Sequence, residues 1–163
     1  MIMKEQNQFT SHLISEELKL IICNFQGTCT MKDVIALNLK FIADPDYDPD
    51  YDVFLDYTDS AAMAFRIEVF DFVEFLKKTI KLKNTVRVGN LYDTPNQEFL
   101  LKAYKGFGKI LNLDIENFFY LRDYITWMQF NTEQEIQLNE LLNSIKSNQH
   151  QRNQPGAIRT KWL

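Results

Sequence analysis

The segment from residue 39 to residue 60, LKFIADPDYDPDYDVFLDYTDS, constrains the fold more than any other part of the chain. A helix ends in it, two Asp-Pro turns follow, and an apolar strand then leads into Asp56 and Asp59. The order of helix, Asp/Pro turn and buried strand is typical of the step from one βα unit to the next in an open sheet. The segment therefore predicts an α/β fold.

The spacing of apolar residues predicts the other elements of the fold. The chain has 163 residues, of which 45% are hydrophobic, and this is enough for one domain with a full core. We predict two strands, then three helix–strand units, a short helix and an extra C-terminal helix. Gly27 is expected to end the second strand. The predicted strands span residues 9–14, 18–25, 53–57, 85–90 and 115–120, and the predicted helices span 31–42, 67–80, 94–111, 122–128 and 133–145.

The lengths of the connections predict how the strands pair. The first two strands are separated only by Ser15-Glu16-Glu17, which indicates an antiparallel hairpin. Each later strand is joined to the next by a helix, which is long enough for a parallel crossover. We therefore predict a single mixed sheet of about five strands, the first antiparallel and the rest mainly parallel.

The chain is predicted to have three parts. Residues 1–131 form the α/β domain, 132–145 form the C-terminal helix, and 146–163 form a flexible basic tail. Right-handed crossovers between strands added in one direction place their helices on one face of the sheet, so the other face must be covered. The C-terminal helix, with its Leu and Ile stripe, is expected to cover that face or to pair with a second subunit, and we expect a homodimer.

Three segments of the chain together resemble the SpoIIAA-like proteins, the superfamily that holds the STAS domains and is related in fold to Sec14-type lipid carriers. They are ADPDYDPDYDVFLDYTD (43–59), NTVRVGNLYDTPNQEFLLKAY (84–104) and FFYLRDYITWM (118–128). In that family the last strand is followed by a short helix that ends in Trp and an aliphatic residue, here Trp127 and Met128. The resemblance covers residues 9–128 and implies the same mixed sheet.

The resemblance also implies a role in binding proteins. STAS domains bind partner proteins, often switch kinases, and are controlled by phosphorylation of a Ser at the start of the helix after the third strand. In that family an Asp-Ser pair, a small residue and Gly lie about eight residues beyond the Asp of the strand. Counting from Asp56 gives AFRI at 64–67, and the Asp59-Ser60 pair comes earlier and is followed by Ala61. A phosphorylation switch of the STAS type is therefore not predicted.

Four residues at the end of the third predicted strand are the candidate binding site. Asp56, Tyr57, Asp59 and Ser60 lie at the carboxyl end of a parallel strand, where open α/β sheets place their ligand sites. The alternative is that Asp56 and Asp59 cap the next helix and hold a loop.

The sequence predicts no catalytic residue, cofactor or metal. The only histidines are His12 and His150, and neither has an evident partner. Cys29 precedes a helix start, where a thiolate can be stabilised, but no base accompanies it. The alternating aspartates at 44–52 lack the Gly and the closing Glu of a calcium loop, so they are interpreted as solvated turns. Nucleotide-binding and hydrolase motifs are absent from the sequence.

Charge and hydropathy restrict the partners and the location. The formal net charge is −4, which argues against a general nucleic-acid binder. No apolar run is long enough for a transmembrane segment, and the first residues, MIMKEQNQ, include no apolar leader, so we predict a cytoplasmic protein.

The sequence favours a non-enzymatic intracellular binding or regulatory domain that acts through contacts with a protein partner. The main alternative is a carrier of a small apolar ligand or lipid, because the second predicted helix is rich in Phe and the Sec14-type folds are related. A third possibility is an uncharacterised enzyme that uses Asp56, Asp59 or Cys29.

Overall fold

The computed structural model describes residues 9–63 and 66–152. The strands are β1 (Phe9–Ser15), β2 (Leu20–Thr30), β3 (Asp52–Met63), β4 (Val86–Leu91) and β5 (Leu113–Phe118). The helices are α1 (Met31–Ile42), α2 (Arg66–Thr79), α3 (Pro95–Lys105), α4 (Gly108–Leu111), α5 (Leu121–Met128) and α6 (Thr132–Arg152).

The strands form one sheet in the order β1-β2-β3-β4-β5. The pair β1–β2 is antiparallel, and the other three pairs are parallel. The predicted mixed α/β sheet is therefore confirmed, together with the extra helix at its C-terminal end.

The sheet separates two hydrophobic layers. Helices α1, α2 and α3 pack on one face, which we call the crossover face, while α5 and α6 pack on the opposite face. Right-handed connections produce this arrangement when each strand is added beside the previous one. The crossover face buries Ile21, Cys23, Phe25, Val34, Leu37, Leu55, Val69, Val73, Val88, Leu101 and Ile115, and the opposite face buries Leu20, Ile22, Phe54, Leu91, Phe118, Tyr124, Ile125, Leu138, Leu142 and Ile145.

Two helix starts carry capping pairs that fix where the chain enters the crossover layer. At α1 the Thr30 side chain accepts a hydrogen bond from the Asp33 N–H, and the Asp33 carboxylate accepts one from the Thr30 N–H. Thr94 and Gln97 form the same reciprocal pair at α3. Each pair satisfies two of the backbone donors that a helix start leaves open.

Strands β2 and β3 are longer than predicted. Gly27 was expected to end β2, but the strand continues through it to Thr30 because glycine tolerates the φ of 68° that this position requires. Strand β3 continues from residue 57 to Met63 alongside this extension. The predicted long helix after β4 is also interrupted, because α3 ends at Lys105 and α4 begins at Gly108.

Helix α6 covers the opposite face within the same chain. Leu138, Leu142 and Ile145 are buried against residues of β2 and of the β1–β2 turn. The helix was predicted to end at residue 145, but it continues to Arg152, because the polar residues of 146–152 include no Gly or Pro to stop it. Residues 146–152, which were predicted to begin the tail, therefore belong to α6, and residues 153–163 lie outside the described part. The apolar stripe of α6 is buried against the sheet of the same chain, so α6 gives no reason to expect a dimer.

Candidate functional site

The two aspartates of the predicted site share one face of the sheet because β3 contains a bulge. Residues three apart on an unbroken strand point to opposite faces. Here Asn24 pairs with Asp56, and Gln26 pairs with Asp59, so two residues of β3 stand opposite one residue of β2. Because of this extra residue, the side chains of Asp56 and Asp59 point to the same face of the sheet, and both carboxylates face α6.

Lys146 of α6 bridges the two carboxylates. Its Nζ lies 3.0 Å from Oδ2 of Asp56 and 3.2 Å from Oδ2 of Asp59. The Asp56 side chain is only 1% exposed, whereas that of Lys146 is 34% exposed. Burial lowers the pKa of Lys146, but the two carboxylates outweigh it and hold that pKa above its ordinary value. Lys146 therefore stays charged and ties the C-terminal half of α6 to β3.

The second oxygen of Asp56 is also occupied. Its Oδ1 accepts hydrogen bonds from the Thr58 N–H at 3.0 Å and from the Thr58 hydroxyl at 2.6 Å. Both aspartates lie inside β3 and not in front of α2, so the alternative that they cap that helix is wrong. The geometry makes Asp56 an anchor for the bulge and for α6, not a base that is open to a substrate.

Asn24 lies beside Asp56 on β2 and is fully buried. Neither its Nδ2 nor its Oδ1 finds a hydrogen-bond partner within the described part of the chain. A buried amide of this kind is costly unless water satisfies it. Its place next to the ion pair makes this region of the sheet polar, although it lies beside the apolar stripe of α6.

Tyr57 and Ser60 point to the crossover face instead. The Tyr57 ring stacks on Phe25, with 4.6 Å between centroids and 4° between planes. The Ser60 hydroxyl donates to the Tyr57 carbonyl at 2.8 Å. From α3, Gln97 Nε2 donates to the carbonyls of Tyr57 and Ser60 at 2.8 and 2.7 Å. The four predicted residues therefore do not form one site, because the sheet separates them into two pairs.

An exposed group of aromatic side chains directly follows β4 and β5. The ring centroid of Phe119 lies 5.8 Å from that of Tyr92 and 4.9 Å from that of Tyr120, and both contacts are edge to face. The guanidinium of Arg122 lies over the Tyr120 ring at 5.2 Å. Phe119 is 51% exposed and Tyr120 is 54% exposed. We call these four residues the aromatic patch.

The aromatic patch is held by the strand ends beneath it. The Tyr92 N–H donates to the Phe118 carbonyl at 3.0 Å. Residues 119 and 120 were predicted to belong to β5, but the strand ends at Phe118, the last residue that points into the core. The sequence did contain a signal for the earlier end of β5. Three aromatic residues follow one another at 118–120, and an alternating strand cannot bury all three on one face.

A comparison with solved structures finds an uncharacterised protein of the DUF3478 family from Shewanella loihica PV-4, which has a SpoIIAA-like fold. The match has a TM-score of 0.51 and 17% sequence identity, and it covers 77% of this chain and 98% of that one. The fold is SpoIIAA-like. An anti-sigma factor antagonist from Mycobacterium paratuberculosis is also similar, with a TM-score of 0.48, 15% identity, and coverage of 75% of this chain and 96% of that one. No family model and no curated protein matches the sequence.

In this SpoIIAA-like sheet, aspartates of the acidic turn before β3 accept hydrogen bonds from the turn's own backbone. The Asp46 N–H donates to the Asp44 carboxylate at 3.0 Å, and the Asp50 N–H donates to the Asp48 carboxylate at 2.9 Å. His12 Nε2 lies 2.8 Å from the other Asp44 oxygen, and this hydrogen bond lowers the pKa of Asp44. Residues 9–63 and 66–152 contain no group of three or more His, Cys, Asp or Glu residues placed to hold a metal ion.

A cavity of about 60 Å³ lies on the crossover face of the SpoIIAA-like domain, among α1, α2 and α3. Its walls are mainly apolar and include Cys29, Val34, Tyr57, Phe72 and Leu101. An engineered apolar cavity that accepts benzene measures about 150 Å³, so this space is too small for a lipid chain. None of the described helices is long and apolar enough to cross a membrane.

Both cysteines are predicted to be unreactive in the folded protein. Burial, with a smaller contribution from Asp33, raises the pKa of Cys29 to about 12, and burial raises that of Cys23 as well. At pH 8 the thiolate fraction of Cys29 is then on the order of a thousandfold below that of an ordinary thiol. We expect iodoacetamide to modify both residues at least that much more slowly than glutathione, and at the ordinary rate in denaturant. Rapid modification of native Cys29 would reveal an activated thiol.

Proposed function

We propose that this protein is a non-enzymatic, cytoplasmic binding or regulatory domain that acts through contact with another protein. The observation that carries the proposal is the aromatic patch, in which two aromatic rings about half exposed lie beside Tyr92 and Arg122 at the carboxyl edge of the sheet. Open α/β sheets present their binding residues at this edge.

The composition of the patch supports a protein as the ligand. Aromatic residues and Arg are enriched in the centres of protein interfaces, where a few side chains provide most of the binding energy. The edge-to-face contacts among Tyr92, Phe119 and Tyr120 restrict the rings before binding, so little side-chain entropy remains to be lost. Exposed aromatic residues that contact one another also make a larger apolar surface than scattered ones.

The alternatives have less support from the geometry. Enzymatic use of Asp56 conflicts with its bonds to Thr58 and Lys146, and enzymatic use of Cys29 conflicts with its raised pKa. A carrier of lipid would need a space several times larger than the 60 Å³ cavity. These observations favour a binding role without a chemical step.

Comparative affinity capture from the source cells tests the proposal. We expect the wild-type chain to retain a protein that the double variant Phe119→Ser/Tyr120→Ser loses almost completely, by at least tenfold in recovered amount. Removing two central aromatic side chains of an interface typically costs several kcal/mol of binding energy. The recovered proteins are compared by quantitative mass spectrometry.

The matched control is Leu39→Ser/Ile136→Ser, which also removes two large side chains that are about half exposed, but on α1 and α6. This control should retain the same protein as the wild type. Equal capture by all three forms would contradict a role for the aromatic patch.

A further inference from the structure

Helix α6 runs from the β1–β2 turn to the carboxyl edge of the sheet. Near its start, the Gln137 amide donates a hydrogen bond to the Glu17 carboxylate at 2.6 Å, and near its end Lys146 reaches the two aspartates of β3. Of its side chains that the structure describes, Ile145 is the last that is buried, while the helix continues to Arg152. Beyond Ile145, the ion pairs of Lys146 are what the described side chains contribute to holding the helix on the sheet.

The face of β2 that lies toward α6 changes from apolar to polar along the strand. Leu20 and Ile22 point to this face, and the next two alternating residues are Asn24 and Gln26. Asn24 is fully buried with neither amide atom hydrogen-bonded, and Nε2 of Gln26 is also buried without a partner in the described part of the chain. A buried donor or acceptor that lacks a partner costs free energy, which contact with water would recover. The closed position of α6 is therefore opposed by the amides on this part of β2.

We propose that residues 146–152, about the last two turns of α6, form a releasable strap with Lys146 as its latch. Asn24 pairs across the sheet with Asp56, the residue that Lys146 contacts, so the strap begins beside the unpartnered amide. The ion pair of Lys146 stabilises the closed strap, whereas hydration of Asn24 and Gln26 stabilises the open one. The strap therefore has two positions, and the balance between them depends on these few polar groups.

The rest of α6 has the contacts to remain on the sheet while the strap opens. Leu138 and Leu142 are buried in the same apolar layer as Leu20 and Ile22. Segments with few buried apolar contacts open more readily than segments that bury many. The opening is therefore local, and it ends near Ile145, the last buried apolar side chain described in the helix.

Release of the strap uncovers a polar surface beside the aromatic patch. Asp56 pairs with Leu91 in the sheet, and Tyr92 of the patch follows Leu91 directly. A partner that brings a cationic side chain to Asp56 and Asp59 would stabilise the open strap, because that cation takes the place of Lys146. The strap does not rest on the binding role proposed above, since its opening is measured without a partner.

Thiol labelling of the full chain that carries Asn24→Cys tests whether the strap opens by itself. Residues 23 and 24 are neighbours on β2 and are both fully buried, but residue 23 lies under the crossover helices and residue 24 lies on the face toward α6. We expect iodoacetamide to modify residue 24 at least tenfold faster than Cys23, each relative to its rate in denaturant. Adding Lys146→Met should raise the rate at residue 24 at least tenfold further. Equal protection at the two positions would overturn the proposal, because α6 would then open only with the whole domain.

Hydrogen exchange of the wild type and of Asn24→Val tests the cause of the opening. Valine suits a strand and has no amide to hydrate, so the closed strap loses the main group that opposes it. We expect the backbone amides of residues 146–152 to exchange about tenfold more slowly in Asn24→Val, compared with those of residues 134–142 in the same chain. Lys146→Met should give the opposite change, and it remains a test if circular dichroism shows that Asn24→Val does not fold. Fraying of the helix end would not respond to residue 24, so unchanged exchange at 146–152 in folded Asn24→Val would rule out the strap.

Discussion

Replacing Lys146 with Met is expected to lower the free energy of unfolding by about 2 to 3 kcal/mol. The change removes the ammonium that neutralises Asp56, whose carboxylate is 1% exposed, and leaves a buried charge without its partner. Breaking a fully buried ion pair costs more than these 2 to 3 kcal/mol. The cost is expected to be smaller here because the Lys146 side chain is one-third exposed, so water can partly take the place of its ammonium. Urea denaturation at neutral pH, followed by circular dichroism, measures the difference.

The same substitution at Lys102 is the matched control. Lys102 pairs with Glu98 one helical turn away at 2.8 Å, but its side chain is mostly exposed, so Lys102→Met should leave the free energy of unfolding almost unchanged. Adding Asp56→Asn to Lys146→Met should recover part of the lost stability, because it removes the uncompensated charge. Equal effects of Lys146→Met and Lys102→Met would mean that the ion pair does not hold α6 to the sheet.

Replacing Gly89 with Ala is expected to cost about 3 kcal/mol, at the upper end of the usual range for overpacked cores. Gly89 lies in β4 beneath Tyr124 of α5, and an added Cβ would lie 2.3 Å from Cε2 of that ring. The ring is fully buried and is confined by Phe54 and Phe118, with centroids 4.4 and 5.7 Å away, so it cannot move aside. Thermal and urea unfolding of the purified variant give the measurement.

Gly106→Ala is the control for this prediction. Gly106 has an ordinary helical φ of −58°, and a Cβ there would contact only the Ala103 carbonyl at 3.3 Å. Alanine in such a position restricts the unfolded chain, so this variant should be unchanged or slightly more stable. If Gly89→Ala is as stable as Gly106→Ala, the packing of α5 against β4 differs from the one described.

The parts of the fold that depend on local patterns were predictable. The capping pairs at Thr30 and Thr94, the hairpin and the crossover order are each encoded within a few neighbouring residues. Strand direction then followed from connection length, and the mixed sheet followed from strand direction.

The candidate sites depend on contacts that no local pattern reveals. Asp56 was predicted as a site residue, but its partner Lys146 is 90 positions away and was assigned to a tail. The bulge that turns Asp59 to the same face is a feature of how β2 pairs with β3, and either strand alone reads as regular. The exposure of Phe119 follows from where β5 ends, and residues 119 and 120 were predicted to continue that strand although an alternating strand cannot bury three successive aromatic residues on one face.

Photo-crosslinking in living cells tests the proposed protein-binding role of the aromatic patch most directly. The crosslinking amino acid p-benzoylphenylalanine replaces Phe119 in one form of the chain and Leu39, as a control of similar exposure, in another. The account predicts one dominant adduct between residue 119 and a different protein, and none of comparable yield from residue 39. Equal labelling from both positions, or no adduct from residue 119, would contradict it.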